Sequence, residues 1–272
     1  MNGINETKSM AVFCDFENIA LGVKDENYSK FDIQLILEKL LIKGTIIVKK
    51  AYCDWSRYRD FKAAMHEASF ELIDIPHVRQ SGKNSADIRL VVDALDLCYT
   101  KSHVRTFVVI SGDSDFSPLV SKLRENNKIV IGVGVKNSSS DLLVANCDEF
   151  IYYDDLVRSR QHGEEKRTRQ KAPARKKAEA TPKKDADEED RSQEGLSLIL
   201  TVCEELLAER SGEDKVWGSM VKQTLKRRQP GFSESFYGFR SFNLMLEEAS
   251  RRKLLGVEHD EKSGGYVIHK VH

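Results

Sequence analysis

The chain has 272 residues, 40% of them hydrophobic and 32% charged, with 43 Lys and Arg set against 43 Asp and Glu. The length favours two domains, and the apolar content supports a sizeable core. The zero balance leaves a nucleic-acid partner open, because the placement of charge decides that question.

No apolar run is long enough to span a bilayer. The opening MNGINETKSM lacks the basic start and apolar stretch of a secretory signal. Five scattered cysteines without a CxxC pair fit neither a disulfide framework nor a zinc ribbon. The expectation is a cytoplasmic protein in a reducing compartment, with its thiols packed as small apolar groups.

From Met10 to about Tyr153, short apolar runs alternate with helical patterns. MAVFCDF reads as a buried strand. Phe31 to Lys43 has helical spacing closed by Gly44. TIIVKKAYCD is strand-like, Arg57 to Ser69 helical, and FELIDIP a strand stopped by Pro76. Ser85 to Tyr99 is the next helix, followed by the strong β-run RTFVVISGDSDF, broken at Gly112. Phe116 to Asn126 reads as a helix with Pro118 in its first turn. KIVIGVGV is a strand, Ser138 to Asn146 a short helix, and EFIYYD a last strand. Such alternation predicts a Rossmann-like α/β fold, a parallel sheet flanked by helices.

Residues 158–191 have almost no large apolar side chain and read as a charged flexible linker. Folded character returns at 192. Helices are predicted for Leu196 to Leu207, Val216 to Arg228 and Phe236 to Lys253, and two short strands around a Gly-Gly turn for LLGVEHDEKSGGYVIHKV. That is a small winged-helix-like domain. The spacing of Phe236, Tyr237, Phe239 and Phe242 suits burial rather than base stacking. The expected organisation is a catalytic domain over 10–157, a linker over 158–191 and a second domain over 192–272.

Open parallel sheets bind ligands at the carboxyl ends of their strands. Asp15 closes the first strand in CDFEN, Asp113 and Asp115 follow the fourth in ISGDSDF, and Asp87 opens the helix SADIRLVVDAL. Each has a bland role available as a cap or turn residue. Together, carboxylates at one rim repel, and a hard cation is their natural partner. Mg²⁺ or Mn²⁺ there would suit hydrolysis of a phosphodiester. Asn18, Ser111, Lys83 and Asp93 are candidates for accessory roles: Asn18 and Ser111 beside the strand ends, Lys83 as a phosphate partner, and Asp93 as support from the same helix as Asp87. No side chain stands out as a dedicated general base.

CDFEN, SADIRLVVDAL and ISGDSDF, in that order over about Met10 to Asp155, resemble NYN domains, which are PIN-like nucleases. The resemblance implies a metal-dependent endoribonuclease with RNA as substrate, with Asp15, Asp87, Asp113 and Asp115 as metal-binding carboxylates and Asn18 as an accessory residue. The segment VWGSMVKQTLKRRQPGFSESFYGFRSFNLMLEEA is similar to OST-HTH (LOTUS) domains, implicated in RNA binding and protein contacts. Lys222, Lys226, Arg227 and Arg228 would then form a phosphate-facing patch, with Arg240 nearby. The KRR run also reads as an ordinary solvated helix end.

A haloacid-dehalogenase-type phosphatase needs a second Asp two residues after the first, where this chain has Glu17. A Toprim-like site needs a Glu where Asp15 stands. A non-catalytic RNA-binding or scaffold protein remains the main alternative. No GxSxG elbow or phosphate-binding GxxxxGK[ST] loop is present. Oligomeric state stays open, a homodimer and a protein partner of the second domain included.

Overall fold

A computed structural model describes residues 9–26, 28, 31–76, 84–161, 182–209, 215–260 and 264–271. The chain divides into two compact units, Met1–Val157 and Arg158–His272.

In the first unit the elements run β1 (Ser9–Asp15), α1 (Phe16–Asp25), α2 (Ile33–Leu41), β2 (Thr45–Cys53), α3 (Arg59–Glu67), β3 (Glu71–Asp74) and α4 (Ser85–Thr100). They continue with β4 (Thr106–Ile110), a 3-10 turn (Ser114–Phe116), α5 (Ser117–Glu125), β5 (Ile129–Gly134), α6 (Asp141–Asn146) and β6 (Glu149–Tyr152). Residues 153–161 are helical (α7). The six strands form one sheet in the order β3-β2-β1-β4-β5-β6, and every pairing is parallel.

Alternation along the central strands builds two cores. Met10, Val12 and Cys14 of β1, with Val108 and Ile110 of β4, join Ile19, Ile36, Leu40 and Met65 from α1, α2 and α3. Ala11, Phe13, Phe107 and Val109 point the other way and meet Leu90, Val120, Leu123 and Leu143 from α4, α5 and α6. Burial on both faces explains why β1 and β4 read as unbroken apolar runs. Each fully buried Leu, Ile, Val or Phe contributes about 1.5–3 kcal/mol.

The strand order fixes where a ligand can sit. From β1 the chain moves outward to β2 and β3, then α4 carries it back to β4 on the other side of β1. The exits of β1 and β4 therefore diverge, opening a crevice at their carboxyl ends.

The second unit holds α8 (Pro182–Glu209), β7 (Val216–Trp217), α9 (Gly218–Arg228), α10 (Phe242–Arg251), β8 (Leu255–Asp260) and β9 (Gly265–Val271). Three helices pack on a three-stranded antiparallel sheet, β7-β9-β8. Leu196, Ile199 and Cys203 of α8, Val221 and Leu225 of α9, and Met245 and Leu246 of α10 share its core. Tyr237 and Phe242 are buried there, and Phe236 and Phe239 pack against it, as their spacing suggests.

Four boundaries differ from the sequence reading. Helix α1 was not expected, because it follows β1 without a loop. Helix α8 begins at Pro182, so the linker expected over 158–191 is helical from 182 and, as part of α7, up to 161. The Glu-, Lys- and Ala-rich composition that denies this stretch a core also propagates a helix well. The expected helix from Phe236 starts only at Phe242, since Gly238 adopts φ +85° and turns the chain. Val216 and Trp217 belong to a short strand rather than to α9. No described helix is long and apolar enough to cross a membrane, and all five cysteines are buried and free.

Candidate active site

The crevice is built around Asp15. As the last residue of β1 it caps α1, its Oδ1 accepting the Asn18 backbone N–H at 3.3 Å. Its Oδ2 accepts the hydroxyl of Ser111, the residue after β4, at 3.0 Å. That hydroxyl also accepts the Asp113 N–H at 3.2 Å. The Asn18 Oδ1 accepts the Gly112 N–H at 2.8 Å. Two of these bonds, Ser111 to Asp15 and Gly112 to Asn18, tie the ends of the neighbouring strands together, and the other two brace each end locally. Asp113 in turn caps the 3-10 turn, accepting the Asp115 N–H at 2.9 Å. Capping accounts for Asp15 and Asp113 locally; Asp115 caps nothing and is exposed.

Electrostatics connect the carboxylates across the crevice. Asp15 is 6% exposed, and its carboxyl is pushed up to about 7. Burial is the main cause, the charge of Asp87 the next and that of Asp113 a smaller one, against the lowering effect of the Asn18 and Ser111 bonds. Asp87, in the first turn of α4, is raised to about 6 by burial and then by Asp113, Asp115 and Glu17. Asp87 and Asp113 thus act on Asp15, and Asp113 and Asp115 act on Asp87, which is repulsion of the kind that a cation relieves.

Among the described residues no three His, Cys, Asp or Glu side chains converge closely enough to enclose an ion. The group is an electronegative rim with oxygen donors, not a closed cage. Mg²⁺ and Mn²⁺ need only one or two carboxylates and keep several waters. Asp15, with both oxygens already accepting bonds, is held rigidly enough to act as a fixed donor.

A loop closes one side. A Cβ at Gly112 would lie 2.4 Å from the Ser138 carbonyl oxygen, so only glycine allows the 136–140 segment to approach. The Ser140 N–H donates to the Gly112 carbonyl at 2.9 Å, and the Lys136 N–H is held by Asp154 at 2.8 Å.

The accessory candidates separate. Asn18 and Ser111 are at the centre, as clamps of the strand ends. Lys83 lies outside the described residues. Asp93 is not part of the group: it binds Lys50 (3.1 Å), the Tyr52 hydroxyl (2.9 Å) and Arg89 (3.0 Å). Six residues turn a helix about 120° away from Asp87, not onto its face, and the expected support role is corrected to a structural one. Sequence reasoning placed neither Glu17 nor Arg57 at the site. Glu17 adds its charge to the field on Asp87 and pairs with Arg57 at 2.9 Å. The position of Glu17, two residues past Asp15 in CDFEN, was the available signal; nothing in the sequence singled out Arg57.

In the second unit the basic residues of α9 are partly neutralised. Lys222 pairs with Glu234 at 2.6 Å, and Arg228 pairs with Glu205. Arg227 and Arg240 are exposed and Lys226 is half-buried.

Comparison with known proteins decides the family. The sequence pattern of the NYN domain matches residues 9–154, more than half of the chain. The chain belongs to the NYN domain family. NYN domains are typically PIN-like nucleases, and such nucleases generally use divalent ions such as Mg²⁺ or Mn²⁺. The chain is similar to the Bos taurus protein "Meiosis regulator and mRNA stability factor 1", 25% identical over 148 residues, 54% of this chain. The chain spans 8% of that relative's length. It also resembles a crystal structure of a Vibrio parahaemolyticus protein of unknown function, with a TM-score of 0.50 and 24% identity, over 57% of this chain and 98% of that one. The latter likeness concerns the fold alone.

Proposed function

We propose that the NYN domain hydrolyses RNA phosphodiester bonds as an endoribonuclease, with Mg²⁺ or Mn²⁺ held by Asp15, Asp87, Asp113 and Asp115. The observation that carries this reading is a buried Asp15 raised to about 7 beside Asp87 and Asp113 at the β1–β4 crevice. When bound, the ion supplies charge for a phosphate oxygen and an acidified water. The chain's own contribution is positional. Ser111 and the Asn18 N–H hold Asp15 in one orientation, Asn18 ties Gly112 to α1, and the 136–140 loop walls the crevice. Glu17 holds Arg57 at the rim, where its guanidinium is available to a phosphate of the incoming strand.

The mRNA in the name of the bovine relative supports RNA over a small phosphate ester. We read the second unit as an OST-HTH domain that binds RNA through Lys222, Lys226, Arg227, Arg228 and Arg240, with Lys222 and Arg228 first released from Glu234 and Glu205. Five buried free thiols suit the cytoplasm. The second reading, an RNA-binding protein that does not cleave, is favoured by one observation, the missing three-ligand enclosure among the described residues. Incubating a mixed RNA pool with Mn²⁺, Mg²⁺ or chelator separates the two. Cleavage by wild type that needs the metal and is lost in Asp15→Asn and Asp113→Asn supports the enzyme. Equal background degradation in all three proteins sinks it.

A further inference from the structure

Helix α4 is apolar on two sides. Leu90, Ala94 and Cys98 face the core. Elsewhere on the helix Ile88, Val92 and Tyr99 stand 62%, 55% and 63% exposed, with the partly buried Leu95 between them. At about 100° per residue these four positions fall within a stripe roughly 60° wide over three turns. A surface helix normally turns a polar face to water. Here three of the ten exposed large hydrophobics of the described residues lie along one line.

The charges beside the stripe indicate what covers it. Arg89 and Asp96 are both exposed and, two turns apart, lie on the same flank of the stripe. A two-fold axis crossing α4 midway between them brings a second α4 in antiparallel. It sets Arg89 opposite the second copy's Asp96 and Asp96 opposite the second copy's Arg89. The same axis brings Val92 against the second copy's Val92 and Leu95, and Ile88 toward its Tyr99. The face is self-complementary in charge and in apolar pattern, the signature of an isologous contact. Arg89 reaches Asp93 of its own helix through Nε at 3.0 Å, and a guanidinium with five N–H donors can take a second carboxylate.

We infer that α4 pairs antiparallel with α4 of a second copy of this chain, forming a two-fold homodimer through Ile88, Val92 and Tyr99. A face one helix wide buries less than the roughly 800 Å² per partner of a standard interface, so the dimer is weak and depends on concentration. Such pairing is independent of whether the NYN domain cleaves RNA.

Sedimentation velocity of the full chain over a concentration series tests it. Wild type shifts from monomer to dimer mass as concentration rises. Val92→Glu, a change at an exposed position that leaves the circular dichroism spectrum and melting midpoint unaltered, stays monomeric. Arg89→Asp weakens the dimer about tenfold, since two attractive pairs become repulsive. The double variant Arg89→Asp/Asp96→Arg returns to within about threefold of wild type. Residues 89 and 96 are two turns apart in one helix and do not reach each other, and the melting midpoint of each variant shows what Asp93, within reach of both, changes inside the helix. A monomer at every concentration overturns the inference. So does a dimer indifferent to Val92→Glu, or a double variant no better than Arg89→Asp, because another surface or partner then covers the stripe.

Discussion

Asp15 is under two opposing demands. Its position at the end of a buried strand removes water, and its neighbours Asp87 and Asp113 add repulsion. Lifting a carboxyl from 3.8 to about 7 costs the folded, metal-free protein on the order of 4 kcal/mol above pH 7, as an upper bound. The sign follows from proton binding. Folded Asp15 holds its proton more tightly than the unfolded chain, so its contribution to stability is fully present below about pH 4 and is lost as pH rises through about 7. Asp15→Asn therefore stabilises the protein in chelator at pH 8, raising the melting midpoint by about 5 °C if half of that cost is recovered. Added Mg²⁺ raises the midpoint of wild type and leaves the variant unchanged. A variant that melts lower than wild type in chelator contradicts this account of the residue. If Asp15 ligates the ion as proposed, the same carboxyl gives a pH dependence to metal binding. Below pH 7 an ion must displace the Asp15 proton, so Mg²⁺ affinity climbs up to about tenfold per pH unit from 6 toward 7 and flattens above. Calorimetry at pH 6 and pH 8 measures this directly. Equal affinities at the two values remove Asp15 from the ligand set.

At the scale of elements, the crevice depends on a close approach that side-chain chemistry does not advertise. Gly112 lets the Ser138 carbonyl come within 2.4 Å of the space a Cβ would fill. Gly112→Ala forces the 136–140 loop away and strains the turn that carries Asp113. The expected cost is about 1–3 kcal/mol of stability and, if the domain cleaves RNA as proposed, a loss of cleavage larger than the loss of folded protein, seen by comparing turnover per mole of native protein at a temperature well below the melting transition. The strands and most helices were legible because their periods differ: β1 and β4 are continuous apolar runs, α2 and α5 repeat every three to four residues. Asp15, Asp113 and Asp87 were legible by their position at strand and helix ends. Helix α1 was not, because Asp15 both ends the strand and caps the helix, leaving no turn residue to mark the change. Asp93 misled for a related reason: spacing along a helix was judged by turns completed, while direction decides what a side chain meets. Arg57 was invisible because its meaning comes from Glu17, forty positions away.

At the scale of the whole molecule, a NYN domain with its own two cores is followed by a second compact unit with a third. The first core includes Tyr153 and the partly buried Leu156 and Val157, so a chain ended after Gln161 keeps the NYN domain's packing and is expected to fold. If the second unit binds RNA, its role is to raise the local concentration of substrate, which changes binding and leaves chemistry alone. Removing residues 162–272 should then raise KM for long RNA about tenfold at unchanged kcat. For oligonucleotides too short to reach both units, KM should stay the same. The salt dependence gives a second handle, since affinity falls less steeply with salt when the protein neutralises fewer phosphates. Arg228 and Lys222 start paired with Glu205 and Glu234, so part of the counterion release is offset by breaking those pairs, and the change in slope should be smaller than the number of basic residues suggests. A truncated chain with wild-type KM and an unchanged salt slope on long RNA assigns the second unit to protein contacts instead, and leaves RNA recognition to the rim formed by Arg57 and the NYN crevice.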